Sequence, residues 1–406
     1  MSKPANPFHL LLALALLAAG VHARAAPDDE FAACVANLQH AARERGVSPG
    51  VVQNSLGNVH FVDRVIELDR AQPEFTTTFA GYFNGRVTEQ RVEQGRHLLE
   101  QHHDLLRRIY RQYGVPPRYL VAFWGLETHF GSYFGRMPVL DSVATLACDA
   151  RRSDYFTGQL MAALKIIDEG SITAERMKGS WAGAMGHVQF MPKVFLKYAV
   201  DYDGDGKRDL WGSIPDAMAS AANFLRGLGW KQGWRWGREV TLPDDFPYES
   251  AGLDEQKPLS EWKKLGVHDA YGRPLASADI EASLLVPAGH EGPKFLVYHN
   301  FNVIMGWNQS EFYALAVGRL ADRLAGAAEL VNPPPEDAPR LSRDQVIALQ
   351  ERLAKRGFDP GEADGILGPQ TRKAIRRFQH ANGMIADGFP SRDVLSELSL
   401  HVADAD

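Results

Sequence analysis

The sequence predicts a mainly α protein of the α+β class, with a helical body, a small β insertion and a separate helical module at its C-terminal end. Apolar residues recur at helical spacing through most of residues 27–228. Between residues 238 and 305, short apolar and β-branched runs separated by glycine and proline are typical of strands. A helical pattern then returns and ends at residues 331–340, where proline favours an extended linker.

The first 25 residues have the pattern of a cleavable signal peptide. Lys3 provides a positive charge, residues 10–19 are an apolar run, and small residues flank the predicted cleavage site at residues 23–25. The run is about half of the ~20 residues that span a bilayer, so we expect an exported protein without a membrane anchor. Val21 stands where a lipoprotein signal needs cysteine. We therefore expect no lipid anchor either.

The composition argues against a nucleic-acid-binding protein. The formal net charge is −6, and no block of lysine and arginine with interleaved aromatic residues occurs. Nucleic acid would therefore find no basic surface to bind. The remaining composition, 45% hydrophobic and 23% charged, is that of an ordinary globular protein.

The chain has two cysteines, Cys34 and Cys148. An exported protein meets an oxidising compartment, where two cysteines can pair. Nothing in the sequence fixes the distance between them, so a disulfide and two buried free thiols both remain open.

Glu127 is the candidate catalytic acid. It follows residues 119–126, which are apolar on every face and begin after two prolines, a pattern that predicts a buried helix. Gly131 and Gly135 come next, so we expect the carboxyl group at the edge of the core, lining a cleft. Burial and the negative end of the helix dipole both favour its protonated form, which general acid catalysis of glycoside cleavage requires. The alternative is a structural ion pair with a neighbouring arginine.

A second segment, residues 179–192, is rich in small residues, so its backbone can approach a ligand closely. Ser180 and Gln189 are its hydrogen-bonding side chains. With this segment the chain resembles the B family of lytic murein transglycosylases over about residues 30 to 325. The motifs that carry the resemblance are Gly125-Leu126-Glu127-Thr128, residues 179–186, Gln189-Phe190-Met191-Pro192 and Trp307-Asn308-Gln309-Ser310.

The resemblance implies a lysozyme-like catalytic domain over residues 26–330 that cuts peptidoglycan glycan strands in the periplasm. Glu127 would protonate the β-1,4 bond between N-acetylmuramic acid and N-acetylglucosamine, assisted by the substrate's own acetamido group rather than by a second carboxylate. Glu127 would then act as the base that closes a 1,6-anhydro ring, without water and without a cofactor for catalysis. We expect a monomer whose partner is peptidoglycan. Contacts with cell-wall synthesis proteins are left open.

The resemblance also implies a set of substrate-binding residues. Ser180 and Gln189 correspond to positions that contact the sugar and its acetamido group. Asn308 and Tyr313 match an Asn-x-Ser-x-x-Tyr pattern beside the acid, and Tyr82 corresponds to a tyrosine of the cleft.

Two of the predicted substrate-binding positions depart from the family pattern. Trp307 and Phe224 stand where the family would have tyrosines. Stacking on a sugar can persist at these positions, but hydrogen bonds from a phenol cannot.

Two alternatives to a transglycosylase follow from the same residues. A muramidase of similar fold would add water, and Asp141, 14 residues after Glu127, is the second carboxylate that it would use. Because Asp141 precedes a helical run that starts at Ser142, we predict instead that it caps that helix. A non-catalytic wall-binding scaffold is the other alternative, and the presence of Glu127, Ser180, Gln189 and Asn308 together argues against it.

Residues 201–209 predict a calcium-binding loop. Oxygen ligands stand at alternate positions, and the segment also has the glycine that the sharp turn of an EF-hand loop needs. Gly212 stands where an EF-hand has its bidentate glutamate, which argues against calcium. The resemblance implies a longer loop closed by a later aspartate, for which Asp216 is the nearest match. We predict a structural Ca²⁺, with a solvated acidic turn as the alternative. The candidate ligands are Asp201, Asp203, Asp205, Asp209 and Asp216.

Residues 341–400 predict three short helices around one small core. Ser342 and Gln345 have capping-box spacing, and an Ala-Asp-Gly sequence occurs at residues 363–365 and again at 386–388. The segment resembles the peptidoglycan-binding domain of many cell-wall enzymes. The resemblance implies a tether that raises the effective concentration of substrate at the active site. The alternative is a structural appendage.

Overall fold

The computed structural model describes residues 27–71 and 77–400 of the 406-residue chain. The predicted signal peptide at residues 1–25 lies outside this part of the chain. Within the described part, no helix has both the length and the apolar composition that crossing a membrane requires.

Helices form the body of the protein, which confirms the mainly α prediction. Their buried faces share one continuous apolar core, in which Leu120, Phe123 and Leu320 are fully enclosed. A short antiparallel ribbon of β1 (Met137–Pro138) and β2 (Lys178–Gly179) links two parts of this body. The helices that precede the sheet are α1 (Pro27–Glu44), α2 (Pro49–Asn54), α3 (Asp63–Ala71), α4 (Phe79–Arg86), α5 (Glu89–Gln101), α6 (His103–Tyr113), α7 (Pro117–Thr128), α8 (Val139–Ala147), α9 (Ser153–Asp168), α10 (Pro192–Tyr198) and α11 (Ile214–Gly227).

A five-stranded antiparallel sheet interrupts the helices, which confirms the predicted β insertion. Its elements are β3 (Gly237–Thr241), β4 (Gly252–Pro258), α12 (Leu259–Lys264), β5 (His268–Asp269), β6 (Glu281–Leu285) and β7 (Lys294–Val297). The spatial order of the strands is β4-β6-β7-β3-β5. A second apolar core surrounds the fully buried Trp262. The chain then returns to the body through α13 (His299–Trp307) and α14 (Glu311–Leu324).

The prediction that Asp141 caps a helix is wrong. Helix α8 begins at Val139, because Pro138 has the fixed φ that suits a helix start, so Asp141 lies inside the first turn. Its carboxylate accepts the backbone N–H of His60 at 3.2 Å. Asp141 therefore ties α8 to the segment before α3, a structural role.

Three helices form the C-terminal module around a core of its own. The predicted capping box is present, since Ser342 and Gln345 each accept a hydrogen bond from the other's backbone. The helices are α15 (Arg343–Lys355), α16 (Pro369–Ala381) and α17 (Arg392–Glu397).

The two Ala-Asp-Gly copies have the same local structure but different surroundings. The amide of Gln350 donates to Asp364, and the amide of Gln379 donates to Asp387. Only in the second copy does the remaining carboxylate oxygen reach the β insertion, where it accepts the backbone N–H of His290 and contacts its Nδ1, both at 2.8 Å. The repeat thus docks the module on the sheet.

Cys34 and Cys148 form a disulfide, which decides between the two alternatives that the sequence leaves open. The bond joins α1 to the residue that follows α8, across a sequence separation of 114 residues. A cross-link of this span restricts the unfolded chain and thereby stabilises the fold.

Replacing both cysteines by serine should lower the free energy of unfolding of the helical body by about 3 to 5 kcal/mol, because the unfolded chain regains the entropy of a long loop. Urea denaturation followed by tryptophan fluorescence measures this difference. Reduction of the wild-type protein with dithiothreitol should produce the same loss. A wild-type protein whose stability is insensitive to reduction would contradict the disulfide.

Candidate active site

Glu127 is the penultimate residue of α7, a helix that lies almost wholly in the core. Pro117 occupies the first turn, where its missing N–H costs nothing, and residues 119–126 are all buried. The helix therefore carries the carboxyl group through the core to its edge. Glu127 therefore lies at the end of an apolar helix, as predicted.

The turn after α7 requires a special backbone. His129, Phe130 and Gly131 have φ angles of 53°, 58° and 81°, all in the left-handed region. The reversal folds the ring of Phe130 back onto Gly125, where an added Cβ would lie 2.7 Å from the ring. Only glycine fits at that position, which explains the glycine two residues before the acid.

Two neutral donors bind the carboxyl group of Glu127. The indole Nε1 of Trp307 donates to Oε1 at 3.0 Å, and the hydroxyl of Tyr313 donates to the same oxygen. Since both bonds end on Oε1, Oε2 is the oxygen that can carry a transferable proton. Neither donor is an arginine, so the alternative of a structural ion pair does not apply.

The environment keeps a large fraction of Glu127 protonated near neutral pH. Burial raises its pKa from the ordinary value of 4.5 to about 7, against the opposing effects of the Tyr313 and Trp307 hydrogen bonds and the charge of Arg86. Burial and the neighbouring Glu127 also raise the pKa of Tyr313 well above its ordinary range. Tyr313 therefore remains a hydroxyl donor throughout the physiological range.

Trp307 is held in place by a wall of aromatic rings. Its ring centroid lies 4.4 Å from Phe123, 5.0 Å from Phe224 and 5.4 Å from Phe190. Phe224, predicted to bind substrate, is only 7% exposed and packs against Phe190 and Tyr198 as well as Trp307, so it supports the site from behind. Although Trp307 has no phenol, its indole N–H donates a hydrogen bond to Glu127.

The Asn-x-Ser-x-x-Tyr pattern acts as a turn and a helix cap. Asn308 is exposed just after α13, and its side chain accepts the N–H of Ser310. The hydroxyl of Ser310 in turn accepts the N–H of Tyr313 and caps α14. This arrangement fixes the first turn of α14, from which Tyr313 reaches Glu127.

The glycine-rich segment, residues 179–192, folds into a tight structure beside the turn that follows α7. Ser180 is half-buried, and its hydroxyl accepts the N–H of Ala184 at 3.0 Å. Gln189 has a left-handed backbone with φ of 47°, and its amide donates to the carbonyls of Phe134 and Gly186. Both predicted side chains therefore shape the segment, and Gln189 connects it to the loop that follows Glu127.

His187 joins the two motifs, and the sequence alone did not indicate it. Its Nδ1 accepts the indole N–H of Trp124 at 2.9 Å, and its carbonyl accepts the hydroxyl of Thr128 at 2.9 Å. Burial lowers the pKa of His187 to about 4, so the ring stays neutral and Nδ1 remains an acceptor. A histidine amid glycines gave no spacing signal that could have revealed this contact.

Tyr82 lies on α4, whose neighbour in the fold is α14. Its ring is half-buried, 6.1 Å from that of Phe312, and the guanidinium of Arg86 lies 5.3 Å from its centroid. Tyr82 and Arg86 both affect the pKa of Tyr313. The structure thus brings this predicted cleft tyrosine to the side of the site formed by Tyr313.

The acidic loop contains one compact carboxylate cluster among the described residues. The cluster consists of Asp201, Asp203 and Asp205, whose carboxylate oxygens lie within 4.8 Å of one another. Such a donor set suits a hard cation. Asp209 instead accepts the N–H groups of Trp211 and Gly212. Asp216 is fully buried and accepts three backbone N–H groups of the loop. These last two predicted ligands therefore organise the loop and lie outside the cluster.

Comparison with known proteins identifies the family. The model of the transglycosylase SLT domain matches residues 30–322. The chain belongs to this family. A second model, a putative peptidoglycan-binding domain, matches residues 342–398.

One curated relative comes from Escherichia coli. The membrane-bound lytic murein transglycosylase B of Escherichia coli K12 is 34% identical over 253 residues, 59% of this chain and 65% of the relative. This chain thus spans about two thirds of that relative's length.

Solved structures resemble the whole fold. SltB3 of Pseudomonas aeruginosa, in complex with NAG-anhNAM-pentapeptide, is 46% identical with a TM-score of 0.88, over 91% of this chain and 99% of its own. Slt35 of Escherichia coli, in complex with calcium, is 30% identical with a TM-score of 0.63, over 72% of this chain and 92% of its own. The lysozyme-like core that the sequence resemblance implies is confirmed.

Glu127→Gln should stabilise the protein near pH 8 and leave its stability unchanged near pH 4. The folded state holds the proton of Glu127 up to a pKa of about 7, whereas the unfolded chain releases it near 4.5. Between these values the folded state binds the extra proton, so wild-type stability falls as the pH rises. A fully buried group would give about 3 kcal/mol, and solvent at the cleft reduces the expected gain to roughly 1 to 2 kcal/mol.

Urea unfolding of both proteins at the two pH values measures the effect. Glu100→Gln, an exposed glutamate on α5, is the matched control and should show no pH-dependent difference. A Glu127→Gln protein that differs from wild type equally at both pH values would argue against a raised pKa.

Proposed function

We propose that the protein is a peptidoglycan lytic transglycosylase, which cleaves the β-1,4 bond between N-acetylmuramic acid and N-acetylglucosamine and releases 1,6-anhydromuramoyl products. The observation that carries the proposal is a single glutamate with a pKa of about 7, bound by two neutral donors. The complex of SltB3 with NAG-anhNAM-pentapeptide supports the anhydro product, since that ligand contains an anhydro sugar.

The first step uses Glu127 as a general acid. The proton on Oε2 passes to the glycosidic oxygen as the bond to the muramic C1 breaks, and the acetamido carbonyl of the same sugar stabilises the developing charge. The carboxylate left behind is stabilised by the hydrogen bonds from Trp307 and Tyr313. These bonds strengthen as negative charge develops on Oε1.

The second step uses the same carboxylate as a base. Glu127 accepts the proton of the muramic C6 hydroxyl, whose oxygen attacks C1 and closes the 1,6-anhydro ring. A pKa of about 7 suits both roles, because the group gives up and regains its proton at similar cost near neutral pH. Glu127 gives up one proton in the first step and regains one in the second, and water is not a reactant.

The C-terminal module is proposed to hold the wall near the cleft. Its match to a peptidoglycan-binding domain supports this role. The contact between Asp387 and His290 docks the module on the β insertion, so a bound strand would be held at a fixed place relative to the catalytic body. The pattern of residues 1–25 supports export to the periplasm, where peptidoglycan lies.

A structural Ca²⁺ is proposed for the acidic loop. The carboxylates of Asp201, Asp203 and Asp205 would hold it, and the calcium complex of Slt35 supports the assignment. A glutamate at position 212, where an EF-hand has its bidentate ligand, would displace Asp209, since a Cβ there would lie 2.6 Å from its carboxylate. The ion would therefore stabilise the loop and take no part in proton transfer.

Digestion of purified sacculi tests the activity. Wild type should release muropeptides that are lighter by one water than the corresponding reducing products. Glu127→Gln should lower the rate by about 10²- to 10⁴-fold, the usual contribution of a general acid, while Glu100→Gln should act as wild type. Mass spectrometry of the soluble products measures both. Reducing products would favour a muramidase, and absence of products from wild type would leave a binding scaffold.

Calcium titration tests the loop. Addition of CaCl2 at about 100 times the Kd should stabilise the protein by about 2.7 kcal/mol, which raises the Tm by roughly 5 °C. Asp203→Asn combined with Asp205→Asn should abolish this rise, because both carboxylates are exposed and an amide oxygen is a weaker ligand. Asp245→Asn, an exposed aspartate outside the loop, should retain it. A Tm that calcium leaves unchanged in wild type would refute the site.

A further inference from the structure

A cavity of about 610 Å³ lies at the far end of the two helices that build the active site. Helix α7 carries Glu127 at its C-terminal end and Arg118 at its start, roughly 13 Å away along the axis. Helix α14 carries Tyr313 in its first turn and Arg319 further along. Arg118 and Arg319 line the cavity, which is therefore separate from the cleft around Glu127.

Arginines outnumber the carboxylates in the walls of this cavity. Five arginines line it: Arg118, Arg235, Arg238, Arg273 and Arg319. In the described part of the chain, no carboxylate lies within 4 Å of the guanidinium of Arg118, Arg235 or Arg238, whereas Arg273 pairs with Asp269 at 2.7 Å. The first three lie on the start of α7 and around the start of β3 and have no ion-pair partner there.

The carboxylates that line the cavity are already engaged. Both oxygens of Glu239 accept backbone N–H groups of the linker. Asp322 accepts the indole N–H of Trp236 at 3.0 Å and is 3.8 Å from Arg319. The charges of Arg235 and Arg118 also act on it from beyond ion-pair distance. Glu329 pairs with Arg323 at 3.4 Å. Five arginines thus face four carboxylates around the cavity, so positive charge and N–H donors are in excess.

Two of the donors are buried and lack an acceptor. Arg319 is 7% exposed, and its Nε–H has no hydrogen-bond partner among the described residues. The same holds for the Nε–H of Arg238. These two groups add to the excess of N–H donors around the cavity.

We propose that this cavity binds a small ligand that carries at least two carboxylate groups. A guanidinium fork and a carboxylate are geometrically matched, so several arginines with spare donors select several carboxylates. The volume lies within the range of small-molecule sites. Tyr271, 66% exposed at the rim, offers an aromatic face to the remainder of the ligand. A peptide with free carboxylates and a free polycarboxylic acid share this chemistry.

Isothermal titration calorimetry of the full chain with citrate, and separately with a synthetic Ala-Glu-Lys peptide, tests the site. Wild type should bind at least one of them saturably with one site per chain. The ligand that binds more tightly identifies the source, a free acid or a peptide. Absence of saturable binding with both probes would overturn the proposal.

Variants locate the binding. Arg118→Gln combined with Arg235→Gln should weaken binding by about tenfold or more, because each removes a charged donor. Arg108→Gln, exposed on α6 and away from the cavity, should bind as wild type. Glu127→Gln should also bind normally, so the result is independent of catalysis. Equal affinity in the double variant and in wild type would overturn the proposal.

Discussion

One buried contact determines how the catalytic body is arranged: the carboxyl group of Glu127 with the hydroxyl of Tyr313 and the indole of Trp307 on the same oxygen. A carboxyl at the end of an apolar helix is costly as an anion, and these neutral donors limit that cost without abolishing it. The result is an acid with a pKa of about 7. A lysine or arginine in place of either donor would have held the group ionised and unable to protonate a sugar.

Much of the surrounding structure serves to place these three groups. The turn after α7 reverses the chain. His187 bonds to Trp124 and Thr128 of α7, and these bonds join the glycine-rich segment to the helix that carries the acid. The cap by Ser310 fixes α14 and with it Tyr313. The neutral state of His187 matters here, because a protonated ring could not accept the N–H of Trp124 at Nδ1.

The sequence predicted those parts that depend on local pattern. An all-apolar helix that ends in a glutamate, strands β3, β6 and β7, and a capping box at Ser342 all follow from spacing and residue type. Strand β4 does not, because it lies at the sheet edge, is rich in charged residues and shifts register between Gly252 and Lys257. The contact between His187 and Trp124 and the arginine-lined cavity depend on residues far apart in the chain, which no local pattern reveals.

The most direct test of this account is the titration of Glu127 itself. Carbon-13 NMR of the side-chain carboxyl groups, with the signal of Glu127 assigned by its absence in Glu127→Gln, measures its pKa in the folded protein. Burial against two neutral donors should give a midpoint near 7. A midpoint near the ordinary value of 4.5 would show that Glu127 is ionised at neutral pH and would contradict its role as the acid.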